Sequence, residues 1–239
     1  MKVNLIIPMA GLGARYTERG YVTPKPLIEV NGKPMFVRAV DSMLQIVTPI
    51  QLVFCVLRAH EKHFQISSVI LNHFPNAEIV IIEEVTSGPL ETLIIGAYEI
   101  RNKYPIISTD CDQEFICDEF EKYLSGESEG VDLAFLYFRA DSPSFSFVKL
   151  DSVGKVIEVA EKLPISPFAI CSTYFIKSTG QLFGFWDQIS SREKESEKYL
   201  SQLAQSYLDS NLEVVAFELD SIHIYGTPDS LERAERYSK

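Results

Sequence analysis

The sequence predicts an α/β protein: a mixed, mainly parallel sheet flanked by helices, with a smaller β-rich part in its second half. Three observations predict it. Residues 3–7 are a short, continuous apolar run, the pattern of a strand covered on both faces. Strand-like and helix-like segments then alternate as far as about residue 140, as in βαβ units. Beyond that point, strand-like runs at 145–150 and 155–159 flank "DSVG", a hairpin signal.

The elements follow in order. After the strand at 3–7 comes a glycine-containing loop, then a helix over 34–46 with Pro34 near its first turn, where a missing N–H is tolerated. Residues 51–57 are a second strand. A helix is expected over 60–74, with Phe64, Val69 and Phe74 among its apolar positions. A third strand at 78–82 and a helix over 90–102 follow. A short strand at 106–108 runs into "TDCDQEF", and 131–138 is another strand. Past the hairpin, 168–176 reads as a strand, and 178–189 and 196–210 as helices. The second of these carries Leu200, Leu203, Tyr207 and Leu208 on roughly one side. A strand at 213–219 and a helix over 229–237 close the chain. No linker, repeat or low-complexity segment interrupts the pattern, so residues 1–239 are expected to form one domain.

Composition bounds the function. A hydrophobic content of 46% over 239 residues is enough for a full core. A net charge of −11 argues against non-specific nucleic-acid binding, which needs a basic face, but leaves room for a local cationic pocket. No apolar run approaches the roughly 20 residues that span a bilayer, and "MKVNLIIPMAG" lacks the longer apolar stretch of a signal peptide. Cys55, Cys111, Cys117 and Cys171 are scattered without a CxxC pair. A reduced, cytoplasmic protein is expected.

The loop after the first strand is the most informative stretch. Ligands of open α/β sheets bind beyond the carboxyl ends of the strands, where "GLGAR" lies. Gly11 and Gly13 lack a Cβ, so backbone N–H groups can approach an anion closely. Arg15 adds a cation able to bind phosphate in two-pronged fashion. Lys25 stands between Pro24 and Pro26, which restrict the backbone around it. A polyphosphate satisfies all of these groups together; a solvated glycine turn is the plainer alternative. Two well-known phosphate loops do not fit. A dinucleotide fingerprint needs a third glycine where Tyr16 stands, and a P-loop needs Ser or Thr where Pro34 follows Gly32 and Lys33.

An acidic pair lies after the fourth core strand. Asp110 and Asp112 are one residue apart, so an extended backbone turns both to one side. Two hard oxygen donors beside a polyphosphate suit Mg²⁺. A solvated turn or helix cap is the alternative.

The string "PMAGLGARY…TPKPLIEVNGKP" resembles the signature of the sugar-phosphate nucleotidylyltransferases, the pyrophosphorylases that make NDP-sugars. The likeness covers most of the chain. It is strongest over residues 5–36 and weaker at "TSGPLET", "DCDQ", "EKLPIS" and "IYGTPDSLE". It implies a GT-A-like, Rossmann-related fold with a nucleotide-binding half at 1–140 and an acceptor-binding half at 141–239. It further implies transfer of NMP from CTP or another NTP to a sugar 1-phosphate or similar small phosphorylated acceptor, with Mg²⁺. Pyrophosphate is released, and the product would feed a cell-surface or capsular polysaccharide. Met9, Ala10, Gly11, Gly13, Arg15 and Lys25 would hold the triphosphate. Arg15, Lys25 and Asp112 would carry the chemistry, with Asp110 as a further metal ligand. A monomer or homodimer is expected, without a membrane or nucleic-acid partner.

The resemblance also implies a base-reading segment at "TSGPLETL". Gly88 would let the base approach. Glu91 would accept a hydrogen bond from a base amino group, which leans towards cytosine or guanine, or else open a helix whose dipole favours a carboxylate. In "VAEKLPISPFAICSTYFI", Lys162 matches the lysine that contacts the acceptor phosphate, and Glu161 would hold an acceptor hydroxyl or amine. The family's usual glycine–tyrosine pair is replaced by Ser172, Thr173 and Tyr174, so a phosphorylated alcohol such as phosphocholine stays open beside the sugars. Many relatives carry a second metal aspartate where this chain has Ile224; Asp220 and His223 lie nearby. His60 and His63 in "HEKH" are expected at the surface, and "SREKESEKY" reads as a solvated helix face. Two other functions remain open: a GT-A glycosyltransferase that consumes an NDP-sugar, favoured by the DxD, and a nucleotide-binding protein without turnover, favoured by Ile224.

Overall fold

The computed structural model describes residues 1–126, 130–192 and 197–237, and only the backbone of 192 and 235–237. In chain order the elements are β1 (Asn4–Met9), α1 (Ala14–Thr17), a 3₁₀ turn (Lys25–Leu27), β2 (Glu29–Val30), β3 (Lys33–Pro34), α2 (Met35–Ile46), β4 (Gln51–Leu57), α3 (Arg58–Phe64), α4 (Ile66–His73), β5 (Glu78–Ile82) and α5 (Pro89–Ala97). There follow β6 (Ile106–Thr109), β7 (Gln113–Ile116), α6 (Asp118–Ser125), β8 (Leu133–Arg139), β9 (Phe147–Leu150), β10 (Val156–Ala160) and β11 (Phe168–Ile176). The chain ends with α7 (Thr179–Arg192), α8 (Leu200–Asp209), β12 (Val214–Glu218), β13 (Ser221–Ile224) and α9 (Pro228–Tyr237).

One mixed sheet of nine strands organises the molecule, in the order β10-β9-β11-β6-β1-β4-β5, with β8 on β11 and β12 on β8. The β6-β1-β4-β5 block is parallel, as the alternating pattern predicts. β11 is the antiparallel hub, pairing with β6, β8 and β9. Because β11 pairs with β6 of the first half, the sheet runs through the expected division near residue 140 without a break.

The central strands are buried on both faces, and their side chains alternate between two cores. Ile6, Val53 and Cys55 pack under α5, α7 and α8 with Leu93, Leu182 and Leu203. Leu5, Ile7, Phe54 and Val56 pack under α2, α4 and α6 with Phe36, Ile70 and Phe120. Each fully buried side chain of this size contributes about 1.5–3 kcal/mol from water exclusion. A third, smaller cluster joins Tyr16, Met35, Tyr225 and Leu231, and so ties the glycine loop to the C-terminal helix.

Several expected elements differ. The helix expected over 60–74 is two, α3 and α4, meeting at Gln65, whose φ is 50°. The Glu61 carboxylate accepts the Ser67 N–H at 2.9 Å and so caps the second helix. The helix expected over 90–102 ends at Ala97, after which the Glu99 and Ile100 N–H groups turn back to Gly96 and Ala97. β7 and β13 are too short to stand alone and exist by pairing with each other. α8 begins at Leu200, and residue 196 lies outside the described residues. Among the described residues, no helix is long and apolar enough to cross a membrane.

Candidate active site

A cleft of about 990 Å³ opens beyond the carboxyl ends of the parallel strands and takes its walls from both halves of the chain. β1 delivers the glycine loop to it. Ala10, Gly11, Gly13 and Arg15 line the cleft, whereas the Met9 side chain is buried in the core. Gly13 has φ of 64°, and a Cβ there would stand 2.9 Å from the Lys25 Cβ. Glycine is needed twice over, for the left-handed turn and for the close passage of Lys25. Arg15 is exposed and, among the described residues, makes no ion pair. Tyr16, where a dinucleotide loop would carry glycine, is buried and donates its hydroxyl to the Tyr225 carbonyl at 2.5 Å.

The acidic pair sits at the floor of the same cleft. Asp110 and Asp112 both line it, and the Lys25 ammonium donates to the Asp112 carboxylate. Burial by itself would lower the Lys25 pKa; the charges of Asp112 and Asp110 and the bond to Asp112 outweigh it and raise the pKa. For Asp110, burial and then the Asp112 charge push the carboxyl up, against the pull of Lys25 and Ser172. Cys111, between them, is held inert: burial pushes its thiol up to about 12. Behind the pair, the Gln113 amide donates to the hydroxyls of Thr173 at 3.1 Å and Thr109 at 3.3 Å. That buried network fixes the turn which presents the carboxylates.

Asp110 and Asp112 fit Mg²⁺ by donor chemistry: two hard, half-buried oxygen donors that line one cleft, with the Asp110 carboxyl pushed up by desolvation and by the Asp112 charge. Ile224 lies in the cleft wall opposite Gln113 in the β13–β7 ladder. Asp220 does not take its place, because its carboxylate accepts the Asp118 N–H at 2.8 Å at the start of α6. His223 lines the cleft and is exposed. Among the described residues, no three His, Cys, Asp or Glu side chains gather as a metal site. His63 is exposed as expected, but His60 is buried.

The two remaining segments meet the cleft differently from expectation. Gly88 lines it, yet its nearest neighbour is the chain itself: a Cβ on Gly88 would stand 2.4 Å from the Lys198 carbonyl oxygen. The Glu91 carboxylate turns back to accept the Ser87 N–H at 2.5 Å, the helix-opening role, and Glu91 is not among the cleft-lining residues. Glu161 lines the cleft and accepts hydrogen bonds from Ser146 and, at 2.5 Å, Ser201. Lys162 lines it too, and donates to Tyr199, which donates to Glu197. Of Ser172, Thr173 and Tyr174, only Ser172 reaches the cleft. Tyr199, Glu197, Ser146 and Ser201 escape a reading of the sequence. The only signal for Tyr199 is an aromatic residue closing the charged run "SREKESEKY", just before a helix; residues 193–196 of that run lie outside the described residues.

No family model and no curated protein matches the chain. Solved structures do. A nucleoside-diphosphate-sugar pyrophosphorylase from Vibrio cholerae RC9 superimposes with a TM-score of 0.83 at 20% identity, over 97% of this chain and 99% of that one. A putative glucose-1-phosphate thymidylyltransferase from Bacillus anthracis, in complex with a sucrose, gives 0.79 at 20% identity, over 100% of this chain and 95% of that one. The inositol-1-phosphate CTP transferase from T. maritima gives 0.78 at 13% identity, over 99% and 94%. The chain thus has, over nearly its whole length, the fold of the solved NDP-sugar pyrophosphorylases and related nucleotidyltransferases.

Proposed function

We propose that this chain is a nucleotidyltransferase that moves a nucleoside monophosphate from an NTP to a small phosphorylated acceptor and releases pyrophosphate. The observation that carries the reading is one cleft lined by the glycine loop with Arg15, the Lys25–Asp112 pair with Asp110, and Lys162. The solved structures of the same fold include enzymes named for sugar 1-phosphate and inositol 1-phosphate substrates, which supports a sugar or polyol phosphate as acceptor.

An acceptor phosphate oxygen attacks the α-phosphorus of the NTP, and the bond to the bridging oxygen breaks as pyrophosphate leaves. The nucleophile is already anionic, so no strong general base is needed. Catalysis then rests on alignment and on neutralising charge. The N–H groups around Gly11 and Gly13 hold the triphosphate, and Arg15 and Lys25 take up the charge that grows on the departing pyrophosphate. Asp110 and Asp112 would hold Mg²⁺, which supplies further neutralisation of phosphate charge. Glu91 is occupied at its helix start, so base choice falls to other groups. A nucleoside-diphosphate product of this kind is a precursor for cell-surface polysaccharide.

Ile224 favours one second reading, a protein that binds the nucleotide without turning it over. Incubation with CTP, UTP, ATP, GTP and dTTP against a panel of sugar and polyol phosphates, with pyrophosphate measured, tests both. Pyrophosphate that needs NTP and acceptor together supports the transferase. NTP binding with no pyrophosphate from any pair favours the second reading. In a parallel incubation with an NDP-sugar, its consumption without pyrophosphate would point to glycosyl transfer instead.

A further inference from the structure

The loop that carries Lys162 does not hold its side chain by itself. The Lys162 backbone is left-handed, with φ of 53°, and the ammonium is held by residues distant in sequence. It donates to the Tyr199 hydroxyl, lies 4.3 Å from the centre of the Tyr199 ring, and stands 3.7 Å from the Glu197 carboxylate. Tyr199 in turn occupies the N-cap of α8, where its N–H donates to the Gln202 side chain at 3.0 Å. One residue earlier, the backbone of Lys198 is bonded on both sides to the base-side loop. Its N–H donates to the Ser87 carbonyl at 2.7 Å, and its carbonyl accepts the Leu90 N–H at 3.0 Å. These bonds need the two segments in contact, which a Cβ on Gly88 forbids: it would meet the Lys198 oxygen at 2.4 Å and nitrogen at 2.7 Å.

We propose that residues 197–199 form a strap seated on the nucleotide side at Gly88, in which Tyr199 positions Lys162 for the acceptor phosphate and Glu197 is the internal anion that this phosphate displaces. The proposal rests on the reading of Lys162 as the acceptor-phosphate ligand. Lysine is a flexible, strongly hydrated cation that loses much rotamer freedom when it binds. The Tyr199 hydroxyl and ring restrain it in advance, which is the use of preorganisation. Glu197 and Lys162 are both about half exposed, at 57% and 46%, so their ion pair is weak and readily exchanged for a dianionic phosphate. Gly88 does not touch Lys162, yet through the strap it sets where Lys162 stands. The nucleotide and acceptor sites are thereby built on one segment.

The strap can be tested without knowing the acceptor. Lys162 faces Tyr199, Glu197 and Glu161, and the Tyr199 hydrogen bond is the chief cause that holds its pKa above the ordinary lysine value. Acetylation of the full-length protein across a pH series, read by peptide mass spectrometry, reports that state directly, with exposed Lys62 and Lys103 as internal controls. Tyr199→Phe is expected to speed Lys162 labelling at fixed pH by about threefold or more, half a pKa unit, and to leave the controls alone. Gly88→Ala is expected to do the same through the strap; should that variant not fold, Tyr199→Phe decides alone. Inorganic phosphate is expected to protect Lys162, and more strongly in Glu197→Gln, where no carboxylate competes. Unchanged Lys162 labelling in Tyr199→Phe overturns the positioning role. Equal phosphate protection with and without the Glu197 carboxylate overturns the displacement. With an acceptor from the pyrophosphate assay, Tyr199→Phe raises the acceptor KM and Glu197→Gln lowers it, while the NTP KM stays within about twofold. Absence of turnover with every acceptor would remove the transferase reading, and the labelling result would still stand for or against the strap.

Discussion

The Tyr16 hydroxyl donates to the Tyr225 carbonyl at 2.5 Å, a bond between residues 209 apart in the chain that locks the glycine loop to the segment beside Asp112. The Tyr225 N–H completes the link by donating to the Asp112 carbonyl at 2.7 Å. Tyr16→Phe keeps the ring and removes the bond, leaving a buried carbonyl short of a partner. A loss of about 1–3 kcal/mol in stability is expected, with a rise in NTP KM larger than any in acceptor KM. Denaturant unfolding alongside steady-state kinetics checks it; an unchanged midpoint and an unchanged NTP KM would mean that the bond holds nothing in place.

Arg15 and Lys162 both line the cleft, one from the glycine loop and one from the segment after β10, and their variants are expected to fail in opposite ways. Arg15→Ala removes a cation that meets the triphosphate, so kcat/KM should fall about 10²-fold or more, with weaker NTP binding. Lys162→Ala should weaken acceptor use by roughly 10- to 150-fold, the cost of a charged hydrogen bond, and leave NTP affinity nearly unchanged. Calorimetric NTP titration beside acceptor-dependent kcat/KM separates the two. The reverse pattern would show the two ends of the site exchanged.

Asp112→Asn keeps the shape of the side chain and removes its charge. Loss of activity is expected to be greatest at limiting Mg²⁺ and to be partly recovered as Mg²⁺ is raised. The same substitution takes the charge partner from Lys25, so the Lys25 pKa should fall as burial wins. Activity equal to the parent protein across an Mg²⁺ titration would contradict the assignment.

His60 gives a pH dependence whose sign is set by burial, which holds the imidazole below its ordinary value. With the folded pKa depressed, the unfolded chain takes up the proton first as pH falls. The stability contribution is complete above the unfolded value of about 6.5 and is lost as the pH drops through it towards the folded one. Unfolding midpoints measured from about pH 8 down to about pH 5 should decline, and His60→Gln should flatten part of that decline. Identical slopes in both proteins would exclude His60 as a source.

The reach of the sequence differs between the two ends of the cleft, and particular residues show why. The strand at 51–57, the strand at 168–176, the glycine loop and the adjacent carboxylates were legible. The strands and the loop depend on local rules, continuous apolar runs where both faces are covered and φ freedom at glycine; the carboxylates, expected on an extended backbone, stand instead on the turn between β6 and β7. Tertiary structure decided the rest. Whether Glu91 reads a base or caps its own helix turned on which N–H lay nearest, and that proved to be Ser87. The role of Gly88 depended on Lys198, 110 positions away, coming to lie against it. The charged run before α8 reads as a solvated face until the fold brings Tyr199 and Glu197 against Lys162. Periodicity and backbone propensity act over a few residues and can be read along the chain. Steric fit and ion pairing act through space, and only the packed sheet, with β11 joining its two halves, sets which partners meet.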